Sequence, residues 1–421
     1  MKFIERVGRD RLIRCALVGS VATAFVLPFS TALTNILFIA TAVFWLLGSD
    51  LKRDWKQLIQ KPFACVLLLF LLFVCLSGFW KEGSWSSYWS ELRNYRRFLF
   101  FLIIFLLLQN RDVWRERILF SFFASTALLA LICIGIYFEV PFLPPMREGQ
   151  GAILLKNHIT QGLLLGCHMV IAIRYIAFSE HVWLRIVSAV TATLAFVVTV
   201  FMTYGRTGYL CGVVCICFSV FFFWTQGKKR LAFSFFAVFV VSLAMISVSD
   251  HVQSRWENAQ TDIAEFSAGN IETSMGLRFY FWRTSLSMIK DHPILGIGCG
   301  SVEEVSCRYA EKTPDEDEPC FSFSNPHQDY LFVLVQYGIG GFLLWMAFFC
   351  LIFKESLRCS LKEKWGLWGM LALYLSGGLF NTFSRDITES SVFALLVAVL
   401  LTGTNVIRDG QCEQTRRDVS S

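Results

Sequence analysis

The chain has 421 residues, of which 55% are hydrophobic and 17% are charged, and its formal net charge is +6. Soluble domains contain about 45–50% apolar and about 25% charged residues, so this composition excludes a soluble multidomain enzyme. The charged residues form short islands between apolar runs of about 18–22 residues, a length that crosses about 30 Å of hydrocarbon. The sequence therefore predicts an integral membrane protein.

Twelve apolar segments are predicted to span the membrane as helices. Helices are favoured because runs this long satisfy their backbone groups internally, whereas barrel strands alternate over about 10 residues. The first run resembles a signal peptide but is too long and lacks a small-residue cleavage site, so we interpret it as a retained span. The predicted spans lie near 12–29, 33–48, 63–79, 94–109, 117–138, 157–178, 184–203, 207–224, 231–248, 329–353, 365–383 and 389–406.

The distribution of positive charge predicts the orientation. With the N-terminus inside, 24 of the 38 Lys and Arg residues lie on the inner side, which places both termini in the cytoplasm. Residues 1–248 then hold spans one to nine, and residues 329–421 hold spans ten to twelve and a cytoplasmic tail. Residues 249–328 form one large periplasmic loop, and no other outer segment is long enough to form a lid or a site wall.

Local signals predict structure within the large loop. Thr273 or Ser274 is placed to cap a helix from Met275 to about Lys290, which Asp291-His292-Pro293 would end. The run Gly296-Ile297-Gly298-Cys299-Gly300 that follows is typical of a flexible turn.

The cysteines predict one disulfide and no metal centre. Cys307 and Cys320 bracket an acidic turn in an oxidising compartment, so we expect them to pair, with Cys299 as the competing partner. Closing this loop would stabilise the fold by about 3 kcal/mol in the chain-entropy model. The sequence has no CxxC pair and no Cys/His cluster at zinc spacing. Residues 315–318 are four consecutive carboxylates, which cannot converge on a cation as alternating ligands would, so a solvated loop is favoured.

Three motifs lie at the predicted outer surface. The first is Tyr204-Gly205-Arg206-Thr207-Gly208, between spans seven and eight. The second is the loop helix, where Arg278 and Trp282 share a face at i,i+4 and Arg283 lies about 140° round the axis. The third is the run NPHQDY at 325–330, which leads into GIGG at 338–341.

In this order the motifs resemble the O-antigen ligase and polymerase superfamily of bacterial inner membranes. An R-x3-W helix followed by HPILGIGCG and then by NPHQDYL and GIGG covers roughly residues 200–345. The twelve-span layout with one large loop before span ten is similar to the ligase branch. The resemblance implies an all-α, GT-C-like membrane glycosyltransferase of lipopolysaccharide biosynthesis. It would transfer a polysaccharide from undecaprenyl diphosphate to lipid A–core at the periplasmic face of the inner membrane.

The residue chemistry of the motifs agrees with that implication. A diphosphate-linked sugar needs charge neutralisation at its leaving group, and the guanidinium groups of Arg206 and Arg278 suit phosphate oxygens. An acceptor hydroxyl needs a base near neutral pH, and His327 is the candidate. These roles require neither a metal nor a cofactor, and one displacement would invert the anomeric configuration. The competing interpretations are a snorkelling Arg206, a solvated Arg278 and an interfacial packing role for His327.

A second group of candidates is positively charged. Arg93, Arg96 and Arg97 open the fourth span at i, i+3 and i+4, and they form either a phosphate cradle or an anchor for lipid headgroups.

Two further candidates flank other spans. Asp386 follows span eleven, and it would either orient His327 or pair with Arg385. His158, in Lys156-Asn157-His158, would either line the same cavity as His327 or cap span six.

Other functions remain as alternatives. An O-antigen polymerase or a protein O-oligosaccharyltransferase would use the same donor with a different acceptor. A twelve-span transporter or lipid flippase is the alternative of another class, but many transporters show half-repeats and none is visible here. Besides donor, acceptor and membrane lipids, no partner is predicted, and no nucleic acid is expected.

Overall fold

The computed structural model describes residues 2–247, 260–261, 273–310 and 320–405. In these ranges all the regular structure is helical, apart from two isolated backbone bridges, Arg147 with Gly151 and Gly151 with Thr203. The helices are α1 (Lys2–Val26), α2 (Thr31–Gly48), α3 (Leu51–Ile59), α4 (Pro62–Leu76), α5 (Trp85–Leu92), α6 (Arg96–Leu107), α7 (Asp112–Tyr137), α8 (His158–Phe178), α9 (Val182–Val197), α10 (Arg206–Thr225), α11 (Lys229–Ser247), α12 (Ser274–Asp291), α13 (Val302–Ala310), α14 (Asp329–Ser356), α15 (Leu361–Gly377) and α16 (Ile387–Leu401).

A helix lies at each of the twelve predicted positions, and the expectation of an all-helical membrane protein is confirmed for the described residues. Seven of these helices are long and apolar enough to cross a membrane: Thr31–Gly48, Pro62–Phe79, Asp112–Tyr137, His158–Phe178, Val182–Met202, Arg206–Thr225 and Asp329–Ser356. The apolar α16 is shorter. Twelve spans, and the periplasmic side of the large loop, therefore stay predictions.

The centre of the bundle is formed by α8 and α16. In α8 every residue from Thr160 to Tyr175 is buried, and in α16 every residue from Thr388 to Leu401 is buried. A helix that is apolar all round belongs inside a bundle, because each of its faces needs an apolar neighbour. Helix α16 packs against α6, α7, α8 and α15, so its first turn has a fixed place at one end of the core.

Helix α14 is broken at Gly338, where φ is 57° and ψ is −165°. The segment 293–298 fills the break and pairs with both halves of the helix. The N–H groups of Ile297 and Gly298 donate to the carbonyls of Val335 and Gln336 at 2.9 and 3.0 Å. In return, the N–H of Ile339 donates to the Pro293 carbonyl at 2.9 Å. Non-helical backbone is tolerated at membrane depth only where protein satisfies it in this way.

The glycine run at 296–300 is therefore not the flexible turn that its composition predicts. Gly296, Gly298 and Gly300 all have positive φ values, between 67° and 86°. Their backbone is packed against Tyr337, Lys81 and Ser87 so closely that a Cβ would overlap those chains. Glycine is needed here for close approach and left-handed φ, so the run is a rigid connection rather than a hinge.

We expect Gly338→Ala to destabilise the fold by about 2–5 kcal/mol, because strain at positive φ adds to overlap with the Ile294 backbone. Thermal unfolding of the purified protein in detergent measures the effect. Gly149→Ala is the matched control, since Gly149 has φ 69° and open space around its missing side chain. An equal loss in both variants would show that the inserted segment does not depend on the break.

Two features predicted for the large loop, the capped helix and the disulfide, are present in the structure. Thr273 caps α12 by accepting a hydrogen bond from the Gly276 N–H at 3.0 Å, and the helix ends at Asp291. Cys307 and Cys320 form the predicted disulfide, with their Cα atoms 5.5 Å apart. The competing candidate Cys299 is a buried free thiol. The acidic run at 315–318 lies outside the described residues.

Candidate functional site

His327 lies in the segment that enters α14, and its backbone is held from two sides. Its φ of 54° is left-handed, a conformation that residues other than glycine seldom adopt. The His327 N–H donates to Asn325 Oδ1 at 2.6 Å, and the same oxygen accepts from Thr382 Oγ1 at 2.9 Å. Trp282 Nε1 donates to the Pro326 carbonyl at 3.0 Å. Strained backbone that neighbours fix this firmly is typical of functional positions.

The imidazole of His327 is half-buried against the ring of Phe281, with ring centroids 6.3 Å apart. Burial lowers the pKa of His327 below 6.5, and the positive charges of Arg278 and Arg385 lower it further. An imidazole with a lowered pKa is neutral at pH 7, which is the form that accepts a proton.

Arg278 and Trp282 face the same wall of the site, as their spacing on α12 predicts. Arg278 Nη1 donates to the Phe380 carbonyl at 3.2 Å, next to the place where Trp282 holds Pro326. Burial lowers the pKa of Arg278, and the neighbouring charge of Arg206 lowers it further. Two guanidinium groups that repel each other create a positive potential suited to an anion.

Arg206 is the first residue of α10, directly after the N-cap Gly205, and its side chain is exposed. The loop before it is fixed by Thr207, whose Oγ1 accepts a hydrogen bond from Asn381 Nδ2 at 2.8 Å. His158 begins α8 and packs on Gly205, where a Cβ would lie 3.0 Å from the His158 ring. The structure therefore brings His158 to the Arg206 loop.

The segment 378–386, between α15 and α16, joins all three motifs. Through Phe380, Asn381 and Thr382 it contacts Arg278, Thr207 and Asn325 respectively. Asp329 fixes the segment to α14, because its buried carboxylate accepts from the N–H of Ser384 at 3.1 Å and also from the Ser384 hydroxyl. The sequence motifs alone did not identify this connecting role.

Arg385 is a charged residue of the site that the motifs missed. Its Nε donates to Glu91 Oε2 at 2.9 Å, and its carbonyl accepts from Arg97 Nη1 at 3.3 Å. No hydrogen bond joins its two terminal nitrogens to any described residue. Its charge lowers the pKa of His327, so Arg385 is a second guanidinium, in addition to Arg278, that acts on the imidazole. In the sequence, the charged pair Arg385-Asp386 next to a predicted span was the feature that could have indicated this residue.

Asp386 does not orient His327. Within the described ranges its carboxyl has neither a hydrogen bond to the imidazole nor an ion pair, and the contacts that fix the backbone of His327 come from Asn325, Thr382 and Trp282. Burial and the neighbouring Glu389 carboxyl raise the pKa of Asp386, whereas the charge of Arg385 lowers it. The interaction with Arg385 is thus electrostatic rather than a direct contact.

Asp386 instead lines a cavity of about 500 Å³ with Lys156, Asn157, Thr160 and Glu389. Lys156 Nζ donates to Thr388 Oγ1 at 2.5 Å, and Thr160 Oγ1 donates to Glu389 Oε1. Burial lowers the pKa of Lys156 to about 8. The sequence interpretation had included Lys156 but not Glu389, a buried carboxylate at the start of an apolar helix.

The three arginines at the start of α6 do not share one helical face. A 3-10 turn, Arg93–Tyr95, precedes the helix, so α-helical spacing does not relate Arg93 to the other two. Arg93 is exposed and donates to the Trp89 carbonyl of the preceding helix α5 at 3.2 Å. Arg96 donates to Asn35 Oδ1 at 3.1 Å, whereas Arg97 is buried and donates to Arg385. Of the three, Arg97 is the one joined directly to the site, through Arg385.

Among the described residues no group of three or more His, Cys, Asp or Glu side chains is arranged to hold a metal ion. The carboxylates at 315–318 are outside those ranges, so independence from metal stays a prediction.

The comparisons with known proteins agree with this arrangement. Residues 189–346 match the family described as O-antigen ligase. An uncharacterized protein of Haemophilus influenzae is 22% identical over 328 residues, which cover 76% of this chain and 78% of that protein. Arg206, Arg278, His327 and the break at Gly338 all lie inside the matched segment. Residues 189–346 are therefore similar to the O-antigen ligase family, and the apolar helices of the chain are those of a membrane protein.

Proposed function

We propose that this protein is an O-antigen ligase of the bacterial inner membrane, with its active site facing the periplasm. It transfers a polysaccharide from undecaprenyl diphosphate to lipid A–core. The observation that carries the proposal is that segment 378–386 joins the three motifs, through its hydrogen bonds with Arg278, Thr207 and Asn325.

The proposed reaction is a single displacement. The acceptor oxygen forms a bond to the anomeric carbon as the bond from that carbon to the diphosphate oxygen breaks, which inverts the configuration. His327 takes the proton of the acceptor hydroxyl as general base. The departing diphosphate gains negative charge, and Arg206 and Arg278 neutralise it where it develops. No step of this scheme uses a metal ion.

The test is an assay of the purified protein with carrier-linked glycan and lipid A–core. We expect elongated lipid A–core together with free undecaprenyl diphosphate, in amounts that depend on the acceptor. Longer carrier-linked glycan without lipid A–core would identify a polymerase instead, and transfer only to an added protein acceptor would identify a protein O-oligosaccharyltransferase. Absence of carrier release under all these conditions would refute a transferase and favour a transporter or flippase.

We expect Arg385→Gln to move the acidic limb of kcat/KM to higher pH. The neutral imidazole of His327 is the active form, so activity falls as pH drops through its pKa. Arg385 lowers that pKa, and removing its charge should raise it. A pH profile of transfer between pH 5 and pH 8 measures the shift, with Arg93→Gln as control because Arg93 is exposed and bonded to the preceding helix α5. If the acidic limb of Arg385→Gln lies at the same pH as that of the wild type, Arg385 does not influence the pKa of His327.

We expect Trp282→Phe to lower kcat by up to about tenfold while the protein stays folded. The variant keeps the aromatic ring but loses the hydrogen bond to Pro326, which is worth about 0.5–1.5 kcal/mol. Initial rates at saturating donor and acceptor measure the effect. Trp183→Phe is the control, since Trp183 is 57% exposed on α9, and equal rates in the two variants would contradict the positioning role.

A further inference from the structure

A polar pocket lies at the end of the bundle opposite to the His327 site, at the end predicted to face the cytoplasm. It encloses about 330 Å³ between α1, the α2–α3 connection and the start of α7. Its charged lining consists of three arginines and three aspartates: Arg9, Asp10, Asp50, Arg53, Asp54 and Arg111. We refer to this space as the inner pocket.

The six charges of the inner pocket balance in number, yet the described structure contains no ion pair between any two of them. Asp54 is partly buried and has no ion pair with these residues. Burial raises the pKa of its carboxyl group, and the charge of Arg53 only partly offsets that effect. Charges of both signs that surround a space without pairing directly are complementary to a ligand that carries both signs.

An apolar groove of about 570 Å³ adjoins the inner pocket. The two share Trp45, Asp54 and Leu106 as common lining. The groove is otherwise lined mainly by aliphatic side chains of α3, α4 and α6, among them Leu58, Leu68, Leu99, Leu102 and Ile103.

Helix α3 lines both spaces because it is amphipathic. Arg53 and Gln57 line the inner pocket, while Leu51, Trp55 and Leu58 line the groove. A short helix with this pattern lies in the plane of the membrane interface, with charged groups at headgroup level and apolar groups at the level of the acyl chains. The pocket therefore corresponds in depth to a lipid headgroup, and the groove corresponds in depth to the acyl chains of the same lipid.

We propose that the inner pocket and its groove bind one glycerophospholipid with an ethanolamine headgroup. The arginines hold the phosphate, the aspartates hold the ammonium group, and an acyl chain lies in the groove. An anionic headgroup such as glycerol phosphate would satisfy the arginines but leave the aspartates without a cation, so the balanced lining selects the zwitterion. This site is independent of the proposed transfer reaction.

The experiment is native mass spectrometry of the delipidated full chain in detergent, titrated with phosphatidylethanolamine, with phosphatidylglycerol, or with both in equal amounts. We expect one tightly retained phosphatidylethanolamine in preference to phosphatidylglycerol. Arg53→Gln should weaken retention about tenfold, the equivalent of one charge-assisted hydrogen bond. Asp54→Asn should reduce the preference for ethanolamine over glycerol by a similar factor. Lys56→Gln is the control, because Lys56 is on the same helix but lines neither space.

The groove is tested separately with Leu99→Trp, which should obstruct the acyl chain and lower retention several-fold. Leu69→Trp is its control, since Leu69 is 52% exposed on α4 and lies outside the groove lining. Circular dichroism checks that every variant is folded, and a variant that fails this check is replaced by Arg9→Gln for the pocket or Ile103→Trp for the groove. Equal retention of the two lipids by the wild type, or equal losses in Lys56→Gln and Arg53→Gln, would overturn the proposal.

Discussion

Replacing His327 with alanine should lower the rate of transfer by about 10²–10⁴-fold, the usual contribution of a general base. Donor affinity should stay close to that of the wild type, because a base acts on the acceptor proton in the transition state and adds little to binding of the ground state. The measurements are kcat for transfer and, separately, equilibrium binding of the carrier-linked glycan. His327 is fixed through its backbone by Asn325, so loss of the ring should leave the segment in place.

A metal-dependent mechanism makes the opposite prediction for the same preparation. In that case EDTA would stop transfer, and the His327→Ala protein would retain most of its activity. His181→Ala serves as the matched histidine control, because His181 lies in the connection before α9, away from the site. EDTA-sensitive transfer by an active His327→Ala protein would overturn both the base assignment and the metal-free scheme.

Arg206→Lys and Arg278→Lys should each weaken donor binding and transfer by about tenfold or more, although both keep the positive charge. Lysine loses the planar fork that gives arginine two parallel hydrogen bonds to phosphate oxygens. Loss of one charge-assisted hydrogen bond costs about 1.5–3 kcal/mol, and 1.4 kcal/mol corresponds to a factor of ten. Arg278 should show the larger effect because it also donates a hydrogen bond to the Phe380 carbonyl.

The matched control for the arginine series is Arg283→Lys, on the same helix but five residues further on. Its transfer rate and donor affinity should equal those of the wild type. Wild-type transfer by both Arg206→Lys and Arg278→Lys would refute the diphosphate-binding role. Donor binding is compared only between variants that unfold at the same temperature as the wild type.

Local signals in the sequence were sufficient where the interactions are themselves local. The cap at Thr273, the end of α12 at Asp291 and the loop closed by Cys307 and Cys320 each depend on residues close in the chain. The shared face of Arg278 and Trp282 follows from helical geometry alone, and both side chains donate to carbonyls of the site.

The same local reasoning failed where distant segments decide the conformation. The glycines at 296–300 have the composition of a flexible turn, but the break in α14 gives their backbone groups partners, and the run becomes rigid. Arg93 matches a helical face by spacing, but it lies in a 3-10 turn and donates to the Trp89 carbonyl of α5. Asp386 is close to the site, yet the residues that hold the His327 segment are Asn325, Thr382 and Trp282.

Length, hydropathy and short motifs are properties of contiguous residues, so they were enough to predict an apolar helical membrane protein and to place Arg206, Arg278 and His327 in ordered motifs that resemble one family. The three-dimensional fold was needed to show that segment 378–386 connects those motifs, that Arg385 contacts Glu91 and Arg97, and that Lys156, Asp386 and Glu389 line a cavity. These contacts join residues far apart in the chain, and no periodicity or spacing encodes them. Packing of α16 within the bundle fixes where the segment before it must lie.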